Sequence, residues 1–142
     1  MFVDFIYQNI FWFIIWAVLL NLLIISYVKG GVSGANQVSV LEMPALQRGN
    51  KSIVVDVNKA EHFALAHIPG AINIPLEDID EENQQLVKNK NKTVILTCQS
   101  GGRSQTAARK LVAMGFENVN ILSGGIMAWT KENLPTASQK SD

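Results

Sequence analysis

From Phe5 to Val28 the chain reads FIYQNIFWFIIWAVLLNLLIISYV, an uncharged run bounded by Asp4 and Lys29. A helix needs about 20 mostly apolar residues to cross the hydrocarbon core of a bilayer, so this pattern predicts one transmembrane helix over residues 5–28. Tyr7 and Tyr27 suit the interfacial aromatic belts, while Trp16 would sit deeper. Asn21 falls inside the span, where its amide is expected to bond locally rather than to join helices. A cleaved signal peptide fits less well, because Met1 to Asp4 contains no Lys or Arg and the apolar run exceeds the usual length. A buried core helix fits no better, since a small domain could not cover a helix that is apolar all round. Lys29, Arg48 and Lys51 follow the run and no basic side chain precedes it. The positive-inside bias then expects a single-pass protein of a bacterial-type inner (cytoplasmic) membrane, with the rest of the chain in the cytoplasm.

After residue 28 the pattern changes. Residues 29–36 contain GGVSGAN and read as a flexible linker. Residues 37–136 alternate strand-like and helix-like segments, and residues 137–142 read as a polar, disordered tail. Strands are expected at Val38–Val40, Ile53–Val57, Ala71–Ile74, Thr93–Thr97 and Val119–Leu122. The β-branched runs at 53–57 and 93–97 suit strands buried on both faces. Helices are expected at Met43–Arg48, Lys59–Ala66, Asp78–Lys90, Arg103–Met114 and Ile126–Glu132, with Gly115 as a helix stop. Such alternation implies an α/β fold with a central, mainly parallel β-sheet.

Composition narrows the chemistry. The 142 residues carry 12 Lys and Arg against 12 Asp and Glu, so there is no basic excess to bind nucleic acid. One cysteine, Cys98, cannot form an internal disulfide, and His62 and His67 supply no metal-ligand pattern. That leaves a lone thiol, either buried filler or a reactive group. A free thiol also suits a reducing compartment.

Cys98 lies where the 93–97 strand gives way to the next helix, the end of a parallel sheet at which ligands bind. The connecting stretch is CQSGGRS. Gly101 and Gly102 can take positive φ and turn backbone N–H groups inward around an anion. The helix opening near Arg103 adds its positive end, a setting that favours thiolate over thiol. Arg103 can bind or steer an oxyanion. Gln99, Ser100 and Ser104 can supply polar contacts or cap the helix.

These residues resemble the active loop of the rhodanese sulfurtransferase family, whose form Cys-x-x-Gly-x-Arg-Ser/Thr is met by Cys98, Gly101, Arg103 and Ser104. Three further motifs follow in the family's order. The Asp-x-Arg element corresponds to Asp56-Val57-Asn58, and Ala66-His67-Ile68-Pro69-Gly70-Ala71 to the Gly-His-Ile-Pro-Gly-Ala stretch. Gly124-Gly125-Ile126-Met127-Ala128-Trp129 corresponds to the closing Gly-Gly-x-x-x-Trp, with Leu134-Pro135 after it. The resemblance spans Val38 to Pro135 and implies a rhodanese-like three-layer fold. Asn58 stands where the family has arginine, and Ala66 where it has glycine; the first change is expected to alter support of the loop or access to it. His67 is tempting as a general base, but its place in the motif reads as a structural turn. His62 and Trp129 read as packing or surface.

Protein-tyrosine phosphatases use a related Cys–Arg cradle with five residues between the two. Here Gln99, Ser100, Gly101 and Gly102 make four, a tighter loop that suits a sulfane sulfur better than a phosphate. The resemblance therefore implies that Cys98 accepts sulfur from thiosulfate or another small donor and passes it as a persulfide to a thiol, cyanide or protein acceptor. Substrate contacts are expected from Gln99, Ser100, Gly101, Gly102, Arg103 and Ser104, and no external cofactor is implied. The alternative class is a non-catalytic binding module at the membrane, a use of this fold found chiefly where the cysteine is lost.

Overall fold

The computed structural model describes residues 1–28, 34–49 and 51–139. Residues 29–33 of the expected linker and 140–142 of the expected tail lie outside the described residues. The chain divides into two units, Met1–Gly31 and Val32–Asp142.

The first unit is one helix, α1 (Phe2–Val28). Its stretch Phe2–Tyr27 is long and apolar enough to cross a membrane. The helix begins three residues before the expected Phe5, and Asp4 explains why. Its carboxylate sits in the first turn, 3.0 Å from the Met1 ammonium, where the helix dipole favours negative charge.

The second unit is built on five parallel strands: β1 (Ala35–Val38), β2 (Ser52–Asp56), β3 (Ile72–Asn73), β4 (Thr93–Thr97) and β5 (Val119–Leu122), in the order β1-β5-β4-β2-β3. The helices are α2 (Met43–Gln47), α3 (Ala60–Leu65), α4 (Gln84–Lys88), α5 (Gly102–Ala113) and α6 (Gly125–Lys131). Successive side chains of a strand point to opposite faces, and the central strands bury both. Val55, Val94, Leu96, Val119 and Ile121 pack with Ala107, Ala108 and Leu111 of α5 and Leu86 of α4. Val54, Ile95 and Leu122 pack with Met43 of α2, Trp129 of α6 and Ile68. Two apolar layers on one sheet account for the unbroken apolar run of β4, Val94 to Leu96.

Three local expectations are corrected. The first strand is Ala35–Val38, not Val38–Val40, so Ala35 and Asn36 of the expected linker belong to the sheet. Its register on β5, Ala35 with Val119 through Val38 with Leu122, supplies the backbone bonds, and at a sheet edge Asn36 and Gln37 stay exposed. The single helix expected at Asp78–Lys90 is instead a 3-10 turn at Leu76–Asp78 followed by α4. Asn83 starts the second piece, its side chain accepting from the N–H groups of Gln85 and Leu86 at 3.0 and 3.2 Å. Finally, Ala137–Gln139 is tied down: Ala137 and His67 exchange backbone bonds of 2.8 and 3.0 Å, and the Gln139 N–H donates to the Ala64 carbonyl.

Candidate active site

β4 ends at Thr97 and α5 opens at Gly102, so the loop from Cys98 to Gly101 spans the carboxyl edge of the sheet. Gly101 is the N-cap residue of α5, with φ of 102°, a conformation that a Cβ would strain. That turn aims its N–H at Cys98, donating to Sγ at 3.0 Å. Cys98 is only 2 % exposed, and its sulfur sits at the loop that starts the twelve-residue helix α5, whose free N–H groups favour a negative charge. A cavity of about 380 Å³ opens over it, lined by Asn58, His62, Cys98, Gln99, Ser100 and Arg103.

Of the residues read from the loop, Gln99, Ser100 and Arg103 thus line the cavity with Cys98. Gly101 is buried beneath the sulfur, and Gly102 is exposed at the helix start. Ser104 is fully buried and its Oγ has no hydrogen-bond partner among the described residues. It does not line the cavity; on α5 it is one turn before Ala107 and Ala108, which pack in the same apolar layer as Cys98.

Gly124 and Gly125, the opening pair of the Gly-Gly-x-x-x-Trp element, hold this loop from behind. Both have positive φ, 74° and 58°. The first N–H groups of α6 donate back to the loop: Ile126 to the Cys98 carbonyl at 2.8 Å and Met127 to the Gln99 carbonyl at 3.2 Å. The approach is so close that a Cβ on Gly125 would run into the Cys98 carbonyl oxygen and lie 2.9 Å from that of Gln99. Two helix N-termini therefore meet at one cysteine, α5 facing its sulfur side and α6 binding its carbonyl.

Asn58, expected from its place in the Asp-x-Arg element to bear on support of the loop or access to it, lines the cavity together with His62, whose place there the sequence did not disclose. Asn58 is nearly buried at the end of β2; its backbone N–H donates to Asp56 Oδ1 at 2.9 Å. Asn73 ties the same turn together, its amide donating to the carbonyls of Asn58 and Asp56 at 2.9 and 3.1 Å. Asp56 itself is wholly buried, and Oδ2 has no partner among the described residues. Burial pushes its carboxyl above the usual range, opposed by the hydrogen bonds from Asn58 and the charge of His67. Its register partner Thr97 likewise has a buried Oγ1 without a partner among the described residues. The two histidines divide cleanly. His67 is buried with Nδ1 2.7 Å from the Phe63 carbonyl and its ring stacked on Phe63 at 3.8 Å, away from the cavity lining. His62 is exposed on α3 and faces the cavity.

The family model of the rhodanese-like domain matches residues 39–132. The chain belongs to the rhodanese-like domain family. YibN of Escherichia coli K12, an uncharacterized protein, is 32% identical over 128 residues, which cover 89% of this chain and 90% of YibN. The adenylyltransferase and sulfurtransferase UBA4 of Candida albicans is 32% identical over 93 residues, 61% of this chain and 21% of that much longer protein. Among solved structures, BH2092 from Bacillus halodurans superposes with a TM-score of 0.65 at 31% identity, covering 86% of this chain and 90% of its own. The five-stranded parallel sheet is accordingly a rhodanese-like α/β fold, and the Cys98 loop is the strand-to-helix junction of this rhodanese-like domain.

Proposed function

We propose that this chain is a sulfurtransferase that carries sulfane sulfur on Cys98 as a persulfide. The observation that carries this reading is the Gly101 N–H donating to Cys98 Sγ at 3.0 Å, beneath a cavity whose described lining holds one guanidinium, from Arg103, and no carboxylate. An N–H aimed at sulfur and a helix start behind it stabilise a thiolate, and they do the same for a terminal persulfide sulfur. With thiosulfate as donor, the Cys98 thiolate attacks the outer sulfur. The new S–S bond forms as the old one breaks, and sulfite leaves with the electron pair. Arg103 and the free N–H groups at the start of α5 stabilise the charge that departs. The persulfide then yields its outer sulfur to a thiol, to cyanide or to a protein acceptor, a ping-pong cycle with a covalent intermediate. Gln99 and Ser100 supply the polar contacts at the cavity wall, Gly101 and Gly102 form the turn that opens α5, and Ser104 packs beneath it without lining the cavity.

The apolar α1 supports reading this chain as a membrane-anchored enzyme, with residues 5–28 in the bilayer, residues 37–136 as the working domain, and that domain on the cytoplasmic side. Thiosulfate-dependent formation of thiocyanate by the full chain tests the activity. Its loss in Cys98→Ser is the expected result, and thiocyanate formation undiminished in that variant would sink the reading. Labelling of Cys98 in intact cells by a membrane-impermeant thiol reagent would contradict the orientation.

A further inference from the structure

We propose that His62 is the general base of the second half-reaction, taking the proton from the thiol that receives sulfur from Cys98; the proposal rests on the persulfide reading above. A thiol acceptor reaches the active sulfur with its proton still on, and attack on a persulfide requires that proton to go elsewhere. Among the described residues six side chains line the cavity, and none is a carboxylate. Arg103 is a permanent cation, and Asn58, Gln99 and Ser100 have no proton-accepting group of useful basicity. His62 is therefore the one lining side chain, Cys98 aside, that offers a nitrogen able to accept a proton. Its ring is exposed and makes no side-chain hydrogen bond among the described residues, so both nitrogens are open to a substrate. His67, by contrast, has one nitrogen at the Phe63 carbonyl and its ring face against Phe63.

The charged and titratable groups around His62 are Arg103 of α5 and Cys98 of the loop across the cavity, with Lys59 and Glu61 beside it in sequence. The step balances without an oxidant or reductant. The acceptor R–SH gives its proton to His62, and its sulfur forms a bond to the outer sulfur of the Cys98 persulfide. The bond between that sulfur and Cys98 Sγ breaks, leaving R–S–S⁻, the Cys98 thiolate and a protonated His62.

The test separates proton removal from everything else His62 could do. The full chain in detergent is loaded with inorganic polysulfide, and single-turnover discharge is followed with two acceptors, 2-mercaptoethanol and sulfite. Sulfite in mildly alkaline buffer attacks through a lone pair and has no proton to lose. His62→Gln is expected to slow discharge to the thiol about 100-fold, the scale of a lost general base, and at least tenfold more than discharge to sulfite. In His62→Ala, added imidazole is expected to restore discharge to the thiol. Equal slowing with both acceptors, no slowing, or no response to imidazole overturns the proposal while leaving the Cys98 persulfide intact. A wild-type chain that takes up no sulfur overturns both.

Discussion

Gly125→Ala probes the joint between α6 and the active loop. Gly125 has φ of 58°, and its Cα lies against the Cys98 and Gln99 carbonyls, which receive the Ile126 and Met127 N–H groups at 2.8 and 3.2 Å. An alanine in a left-handed conformation costs about 1–2 kcal/mol by itself. Moving its Cβ off the Cys98 carbonyl must also lengthen both hydrogen bonds, each of net value about 0.5–1.5 kcal/mol. The expected destabilisation is about 2–5 kcal/mol. Gly70→Ala is the control, because Gly70 shares the positive φ, 82°, but a Cβ there meets nothing within 4 Å. It should cost only the conformational part, about 1–2 kcal/mol. Urea unfolding of the full chain in detergent, followed by circular dichroism, gives both values. Polysulfide loading of Cys98 should also slow in Gly125→Ala and not in Gly70→Ala, since only the former displaces the loop. If the two variants lose equal stability and load at equal rates, the account of the Gly124-Gly125 pair is wrong.

Arg103→Gln keeps a polar side chain at the cavity but removes the guanidinium. A hydrogen bond to a charged group is worth about 1.5–3 kcal/mol, so thiosulfate turnover should fall about 10–100-fold, and unchanged turnover in a thiocyanate assay would count against an anion-binding role. Asp56→Asn tests the buried acid. Burial raises the Asp56 carboxyl in the folded chain, so its proton favours folding at low pH, and that contribution is lost as pH rises from the ordinary aspartate range through the raised value. The introduced amide does not titrate, and its oxygen can still accept from the Asn58 N–H. The variant should therefore gain on the native chain as pH rises across that window, then hold a constant lead. Urea midpoints measured from acid to neutral pH check this; a lead that shrinks with pH would refute it. Asn58→Arg, made in the chain that keeps Asp56, should narrow the same lead by giving the carboxylate a cation.

The sequence carries the sheet and the loop most clearly where burial is two-sided. β4 is legible to the residue because Thr93–Thr97 is an unbroken β-former run that leads straight into Cys98, and Val119–Leu122 is as plain. β1 is harder to place because an edge strand keeps polar residues such as Asn36 and Gln37, and only its pairing with β5 sets its limits. α4 is shorter than its pattern suggests because Asn83 caps the backbone locally, a competition that an amphipathic pattern does not register. At the site, Gln99, Ser100 and Arg103 can be read because they follow Cys98 directly. Asn58 is tied to the loop only through its place in the Asp-x-Arg element, and His62 not at all: it reaches the cavity from α3, far off in sequence, and no spacing rule connects it to the loop. The role of Gly125 is hidden for the same reason, since its neighbours are carbonyls more than twenty positions away.

The central claim is that Cys98 carries a sulfur atom, and intact mass measures that directly. The full chain is exposed to thiosulfate or polysulfide, freed of excess donor and weighed beside Cys98→Ser. The account predicts an added mass of about 32 Da, one sulfur atom, removed by a thiol acceptor and absent from the variant. A native chain that gains no such mass, or a variant that gains it equally, would contradict the assignment of Cys98 as the sulfur carrier.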